Sequence, residues 1–452
     1  MASPSKKNLV LISFDDAVAL WKYKTLFGQQ LQTPNFDRIC AQSTAFHNAY
    51  CQAPVCSPSR ASFMSGLSPH QTGVTSSDSQ YFNKISPSSM WPFRLKENGY
   101  FCSSGGKVMR GYVPLPDEVH QTLFSDAPKK FRLGPPKRNF KDRKIPGQIE
   151  YGGYRGGPAT IDDKSDRELY DHQVADSALE FFETYDGDAP FYREVGFSGP
   201  HGPWTTPRRF KDMYPPWKFK KPAAWKNGFS DAAAIDEVGP KNIDSRHYRF
   251  WARSVRNYFS AVTHVDHQLG RVWDALKASR HADNTIVMIV SDHGLHLGER
   301  DRFRKHTLWE QVTNVPLVLH DPKQRKAKVI EDPVGLIDVG PTVMDYLDLP
   351  PIKDCVGRSL RPYAKGRKKD KNRAVPTFLF DNSAIRKGKY RYIRYQDGNT
   401  ELFDLSEDWW QTQNLGPDHP DYDMMRKAHR ECCLDYGLDV DALDKELEST
   451  PA

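Results

Sequence analysis

Asn8-Leu9-Val10-Leu11-Ile12-Ser13-Phe14, followed at once by Asp15-Asp16, is the stretch on which the fold turns. It is short, mostly apolar and lacks polar alternation, so it reads as a strand buried on both faces. Such strands belong to sheets covered by helices on either side. Two adjacent carboxylates at the strand end repel each other and cost stability unless a cation neutralises them. The plainer reading of the pair is as helix N-caps.

Working outward, three further runs have the same character. Thr285 to Val290 ends in Ser291-Asp292-His293-Gly294. Phe191 to Phe197 ends in Ser198-Gly199-Pro200-His201, and Leu317-Val318-Leu319 follows Pro316. Helical spacing lies between them. Leu169 to Tyr185 puts Val174, Ala178, Phe181 and Phe182 on one face, with Ser165-x-x-Glu168 as a capping box. Tyr258 to Leu276 places Val262, Val265, Leu269 and Val272 alike. Alternating strands and helices predict an α/β fold with a large, mostly parallel sheet flanked by helices. In such sheets ligands gather beyond the carboxyl ends of the strands, so Asp15, Asp16, His201, Asp292 and His293 are expected on one rim.

The expected organisation is a catalytic domain over residues 1–350, with long loops at 111–162 and 203–245 walling the pocket. Residues 351–452 read as a smaller C-terminal α+β subdomain. It has antiparallel strands at Thr377–Phe380, Tyr390–Tyr395 and Thr400–Phe403, and a helical tail from about Asp421. Lys365 to Lys371 reads as a solvated surface loop. His70 and His296 read as structural, and the Trp409-Trp410 pair as packing within the subdomain.

A chain of 452 residues can bury a large core. Its net charge of +7 suits an anionic small substrate and does not argue for nucleic acid, because scattered acids match the Lys and Arg residues. The seven cysteines are irregularly spaced, which does not suggest a disulfide framework, and no Cys-x-x-Cys pair suggests zinc. No run reaches the length of a membrane span and no apolar leader is evident, so the expectation is a cytoplasmic protein. Nothing in the chain signals an oligomeric state.

Three carboxylates and one imidazole at two strand ends favour a hard divalent ion, Ca²⁺ or Mg²⁺, with Mn²⁺ also compatible. Between them lies Cys56-Ser57-Pro58-Ser59-Arg60, opening a helix that ends near Gly66. A free cysteine is most often a small buried hydrophobe; a catalytic thiolate is a second reading. In this pattern Arg60 lies one turn from Cys56, and both project toward the metal end.

The constellation resembles the formylglycine-dependent sulfatase family of the alkaline-phosphatase superfamily. The matching residues are Cys56 to Arg60 with Met64-Ser65-Gly66-Leu67, Asp15-Asp16, Gly106-Lys107, Ser198 to His201, Ser291 to Gly294, and Lys305 ahead of Trp309-Glu310. Leu336 to Leu347 and Glu401 to Leu405 match its structural blocks. His293 after Asp292 is similar to the iduronate-2-sulfatase-like branch. The resemblance implies an alkaline-phosphatase-like fold and conversion of Cys56 to Cα-formylglycine by a formylglycine-generating enzyme. It also implies one divalent cation, most often Ca²⁺, held by Asp15, Asp16, Asp292, His293 and residue 56. One hydroxyl of the aldehyde hydrate then attacks sulfur, the alcohol departs, and the second hydroxyl expels sulfate. Lys107, Lys305 and Arg60 are implied as positive charges around the sulfate, and His201 as the proton donor or a sulfate contact. The family's histidine after the Gly-Lys element is absent: Met109 and Arg110 stand there. Arg110 is therefore a candidate substrate contact. The expected activity is sulfate monoester hydrolysis, on a small-molecule or saccharide sulfate ester. Aryl, choline-like and sugar sulfates are all open, with a small imported metabolite favoured over an extracellular polysaccharide. The alternatives are a phosphonate monoester or phosphodiester hydrolase of the same superfamily, or a non-catalytic binder of sulfated ligands with Cys56 unmodified.

Overall fold

The computed structural model describes residues 6–78, 80–109, 114–132, 159–160, 166–229, 232 and 234–449. The predicted capping residue Ser165, Arg110 and most of the 111–162 loop lie outside these residues. The strands that carry the site are β1 (Asn8–Asp15), β2 (Thr44–Phe46), β3 (Phe101–Ser103), β4 (Phe191–Pro200), β5 (Thr285–Ser291), β6 (Leu317–His320) and β7 (Lys328–Ile330). They form one sheet in the order β7-β2-β6-β5-β1-β4-β3. β1 lies at the centre, parallel to both β4 and β5. The mostly parallel expectation holds with one difference: β6 runs antiparallel to both of its neighbours.

The central strand is buried along its whole length, as its unbroken apolar run requires. One face packs under the helices Tyr170–Thr184 (α2) and Tyr248–Ala278 (α3), through residues such as Val10, Ile12, Val174 and Val262. The other face packs Leu9 and Leu11 against a cluster that includes Ala61, Phe63 and Met64 of the helix Cys56–Ser65 (α1). α3 begins ten residues before the predicted helix, because its first turns carry aromatic residues that the sequence pattern did not separate from the preceding loop. None of the described helices is long and apolar enough to cross a membrane.

The C-terminal strands form a four-stranded antiparallel sheet, Val375–Leu379 (β8), Asn382–Lys387 (β9), Tyr390–Arg394 (β10) and Thr400–Asp404 (β11). β9 was not among the predicted strands; its Arg386 and Lys387 mask the apolar signal of Ala384 and Ile385. The helix Tyr422–Asp435 (α4) covers this sheet. Trp409 and Trp410 do not pack inside this unit. Their rings meet Tyr23, Phe27 and Trp225 of the main core and so join the two parts.

Candidate active site

In a regular strand Asp15 and Asp16 would point to opposite faces. Asp16 escapes that alternation by adopting a left-handed backbone, φ 65°. Tyr258 of α3 secures the turn: its hydroxyl donates to the Asp16 carbonyl at 2.7 Å and accepts from Val18 N–H at 3.0 Å. The Asp16 N–H donates to Asp292 Oδ1 at 3.2 Å, which ties the end of β1 to the end of β5.

α1 starts directly beside this pair, which places Cys56 Sγ 3.7 Å from Asp15 Oδ1 and 3.2 Å from His293 Nε2. Lys305 Nζ stands 3.0 Å from the same sulfur and 2.9 Å from Asp16 Oδ1. His293 Nδ1 lies 3.3 Å from Asp16 Oδ1, and His201 Nε2 lies 3.8 Å from Asp16 Oδ2. Thus the predicted residues Asp15, Asp16, Cys56, Arg60, Lys107, His201, Asp292, His293 and Lys305 meet at one place.

Arg60 is completely buried. Its guanidinium contacts Asp292 Oδ2 at 2.9–3.0 Å and donates to the carbonyls of Lys107 and Val108 at 2.7 and 2.8 Å. It also donates to Ser13 Oγ at 3.1 Å. Arg60 therefore binds three segments of the site together from below. Cys56, Lys305 and His201 are the partly exposed groups that face the opening.

Lys107 reaches Asp15 because two backbones approach closely. Lys107 N–H donates to Gly196 O at 2.8 Å, and Gly196 N–H donates to Gly105 O at 2.6 Å. A Cβ on Gly196 would lie 2.3 Å from Lys107 N, so only glycine fits. Lys107 Nζ then pairs directly with Asp15 Oδ2.

Burial alone would raise the Asp15 carboxyl, but Lys107, His201, Arg60 and Lys305 together hold it well below the usual carboxylate range. For Asp16 burial and the neighbouring Asp15 push up, while Lys305, His201 and His293 prevail and lower it. Burial pulls the Lys305 ammonium down, yet Asp16 and the other acids hold it well above its ordinary value. Burial also opposes the charge on His293, but Asp292 brings the imidazole up to about 9. His201 is lowered by burial despite Asp16 and Asp15. Both carboxylates of the pair are thus ionised and compensated.

Two sets of donor atoms lie within 4.8 Å of one another: Asp15, Cys56, Asp292 and His293, and Asp15, Asp16 and His201. Buried, ionised oxygens outnumber nitrogens in this donor set, which fits a hard divalent cation.

Several contributors carried no sequence signal that singled them out. Asp171, in the first turn of α2, accepts from Ser198 N–H at 2.6 Å and Gly199 N–H at 3.0 Å and so holds the turn bearing His201. Ser59 Oγ donates to the Asp292 carbonyl at 2.5 Å. The Lys305 loop is anchored from the C-terminal sheet, where Arg391 Nε donates to Leu308 O at 2.5 Å and Glu401 accepts from Trp309 Nε1 at 3.1 Å. His306, with φ 68°, is lowered to about 4 by burial and then by Lys305 and His293. Met109 is buried and offers the pocket no polar side chain. His296 bridges Glu299 and Thr307 at 2.6 and 2.7 Å, and His70 packs edge-on against Phe378, both structural as expected.

A family model described as Sulfatase matches residues 7–349. One described as N-sulphoglucosamine sulphohydrolase, C-terminal, matches residues 298–433. A protein named Sulfatase from Formosa agariphila is 33% identical over 428 residues, covering 89% of this chain and 82% of that protein. Choline-sulfatase of Rhizobium meliloti is 28% identical over 417 residues, covering 85% and 78% respectively. Iduronate 2-sulfatase of Mus musculus is 30% identical over 336 residues, 70% of this chain and 59% of that protein. A structure solved in complex with its substrate D-glucosamine-2-N,6-O-disulfate superposes with TM-score 0.74 at 19% identity, covering 97% of this chain and 100% of that one. The phosphonate monoester hydrolase of Agrobacterium radiobacter superposes with TM-score 0.71 at 21% identity, covering 98% and 96%. At those identities the two structures show a common fold.

Proposed function

This chain belongs to the sulfatase family, and as a sulfuric ester hydrolase, we propose, it cleaves a sulfate monoester through a formylglycine made from Cys56, beside one divalent cation. The observation that carries this reading is the position of Cys56 Sγ, within 4 Å of Asp15, His293 and Lys305 at once. That sulfur stands in for an oxygen of the hydrated aldehyde. The hydrate supplies one hydroxyl as nucleophile toward sulfur and a second to expel sulfate afterwards, a step that neither serine nor thiol offers.

Asp15, Asp16, Asp292 and His293 would hold the cation, Ca²⁺ by the oxygen-rich donor set, with Mg²⁺ or Mn²⁺ as alternatives. Bound there, it supplies Lewis acidity. The chain's own side chains do the rest. Lys305 Nζ, between Asp16 and residue 56, is kept protonated and meets the charge that develops on the sulfate oxygens. Lys107 balances Asp15, so that the carboxylate pair does not repel an anionic ester. His201 donates its Nδ1–H to Gly202 O at 2.7 Å, which turns Nε2 toward the pocket; only as the imidazolium, a form that Asp16 and Asp15 favour against burial, does Nε2 carry the proton that would pass to the leaving alcohol. Arg60 fixes Asp292 and the Lys107 backbone and takes a positioning role.

Intact-mass analysis after coexpression with a formylglycine-generating enzyme tests the modification. The expected result is conversion of the Cys56 –CH₂SH to –CHO, with turnover of an aryl sulfate that is lost in Cys56→Ala. A fully unmodified, inactive chain would instead support a binder of sulfated ligands. Faster cleavage of an aryl phosphonate ester than of the sulfate would move the assignment to phosphonate hydrolysis.

A further inference from the structure

The outer face of the first half of α3 carries Arg249, Arg253 and Arg256, spaced four and three residues apart and therefore stacked along one side of the helix. None of the three belongs to an ion pair among the described residues, and Arg256 Nε is buried without a hydrogen-bond partner. The acid nearest in charge to Arg256 is Asp212, whose effect is outweighed by burial and by Arg253. Natural surfaces ordinarily intersperse both signs, so an uncompensated row of guanidinium groups costs stability unless something anionic lies on it.

The strap that follows His201 runs beside this row. Tyr248, at the start of α3, donates its hydroxyl to Phe219 O at 2.7 Å and to Pro216 O at 3.2 Å, which fixes the strap against the helix. Between those anchors Trp217 is 76% exposed, and Met213 nearby is 46% exposed. Lys218 follows Trp217 and is exposed as well. A tryptophan held this far into solvent by a fixed backbone offers its flat apolar face to a ligand. The same helix reaches the catalytic pocket, because Tyr258 touches Asp16. Tyr258 lies about half a turn round the helix from Arg249, so the row occupies the outer side of the helix whose inner side secures the catalytic turn.

We propose that Arg249, Arg253 and Arg256, with Trp217, form a docking surface for a polyanionic sulfated saccharide chain. The arginine forks take sulfate or carboxylate groups through paired hydrogen bonds, and Trp217 stacks on a sugar ring. This rests on the sulfate-ester reading and deepens it, since it selects a sulfated saccharide polymer from the aryl, choline-like and sugar sulfates that the sequence left open.

The test uses the full chain carrying Cys56→Ala, so that binding is measured without turnover, and heparin as the polyanionic probe. Arg249→Ser, Arg253→Ser and Arg256→Ser together should weaken heparin binding on the order of tenfold or more and flatten its salt dependence. Trp217→Ala should weaken it several-fold. As a charge-matched control, Arg367→Ser, Lys369→Ser and Lys371→Ser together should leave it within about twofold. In the parent with Cys56 intact, both α3 and Trp217 variants should keep full turnover of an aryl sulfate. Equal losses in the α3 and control variants would show that net charge alone binds heparin and would overturn the proposal. So would unchanged heparin binding in the α3 variant. Absent aryl sulfate turnover in the parent alongside intact, α3-dependent heparin binding would instead remove the hydrolase reading and leave the surface standing.

Discussion

Replacing Arg60 by methionine isolates the group that ties the site together. The side chain keeps its approximate length and apolar stem and loses its charge and donors. In the native chain the guanidinium lies fully buried against Asp292, with Asp15 at 3.8 Å. It also serves the carbonyls of Lys107, Val108 and Phe14. Removing one partner of a buried ion pair costs about 3–5 kcal/mol, because the remaining charge is left uncompensated. Unsatisfied buried carbonyls add about 1 kcal/mol each where water does not replace the donor. With one of the three carbonyls left dry, a loss of roughly 4–6 kcal/mol follows for Arg60→Met. Arg60→Lys restores the charge without the planar fork and should lose about half as much. The assay is urea unfolding, reading the shift of midpoint at constant slope, in chelated buffer and again with excess Ca²⁺. A cation held among Asp15, Asp16 and Asp292, as proposed, would compensate the same carboxylates, so the methionine variant should lose less with Ca²⁺ present. Were Arg60→Met to cost under about 1 kcal/mol in chelated buffer, or the same with and without Ca²⁺, the account of a charge-compensated cluster would fail.

Other expectations follow from the same geometry. Lys305→Ala should leave the fold intact and lower kcat for an aryl sulfate by about 10²–10³-fold, seen in steady-state kinetics. Chelation should lower the unfolding midpoint of the parent, and Ca²⁺ at about a hundred times its Kd should restore roughly 2.7 kcal/mol. Gly196→Ala places a Cβ against the Lys107 backbone and should both destabilise the protein and reduce turnover, checked by denaturation and kinetics together. Asp171 is raised to about 7 by burial, against the hydrogen bonds from Ser198 and Gly199. Between its unfolded value near 3.8 and about 7 the native state binds more protons, so this group subtracts stability as pH rises through that window. Asp171→Asn lacks that titration, and its stability relative to the parent should therefore improve from pH 4 to pH 7, while kcat falls because the His201 turn loses an acceptor. A pH-independent difference between the two would contradict this.

The α/β class was legible because strands buried on both faces leave unbroken apolar runs, as in Asn8–Phe14 and Thr285–Val290. The metal-ligand candidates were legible because acids directly after such runs fall on one rim. The antiparallel direction of β6 was not readable, since an apolar strand carries no mark of the direction of its neighbours. β9 was hidden by its own charged residues, of which Arg386 pairs with the main domain: its Nε donates to Tyr50 Oη at 2.9 Å. Arg60 was expected as a positive charge beside the sulfate, and its burial beneath Asp292 emerges only when β1, β5 and the Lys107 loop converge. Asp171 gave no pattern, because a carboxylate in the first turn of a helix is ordinarily a favourable end charge.

Residue types and their order along the chain determined which groups this protein can bring to a reaction: hard oxygen ligands at strand ends, a cysteine at a helix start, and two lysines in loops. Tertiary structure alone decided which of them stay partly exposed at the site and which are buried holding others in place. That division depends on burial and on which donors are already engaged. Burial and pairing are set by segments hundreds of residues apart, such as Arg60 with Asp292 and Leu308 with Arg391, and no local stretch of sequence encodes them.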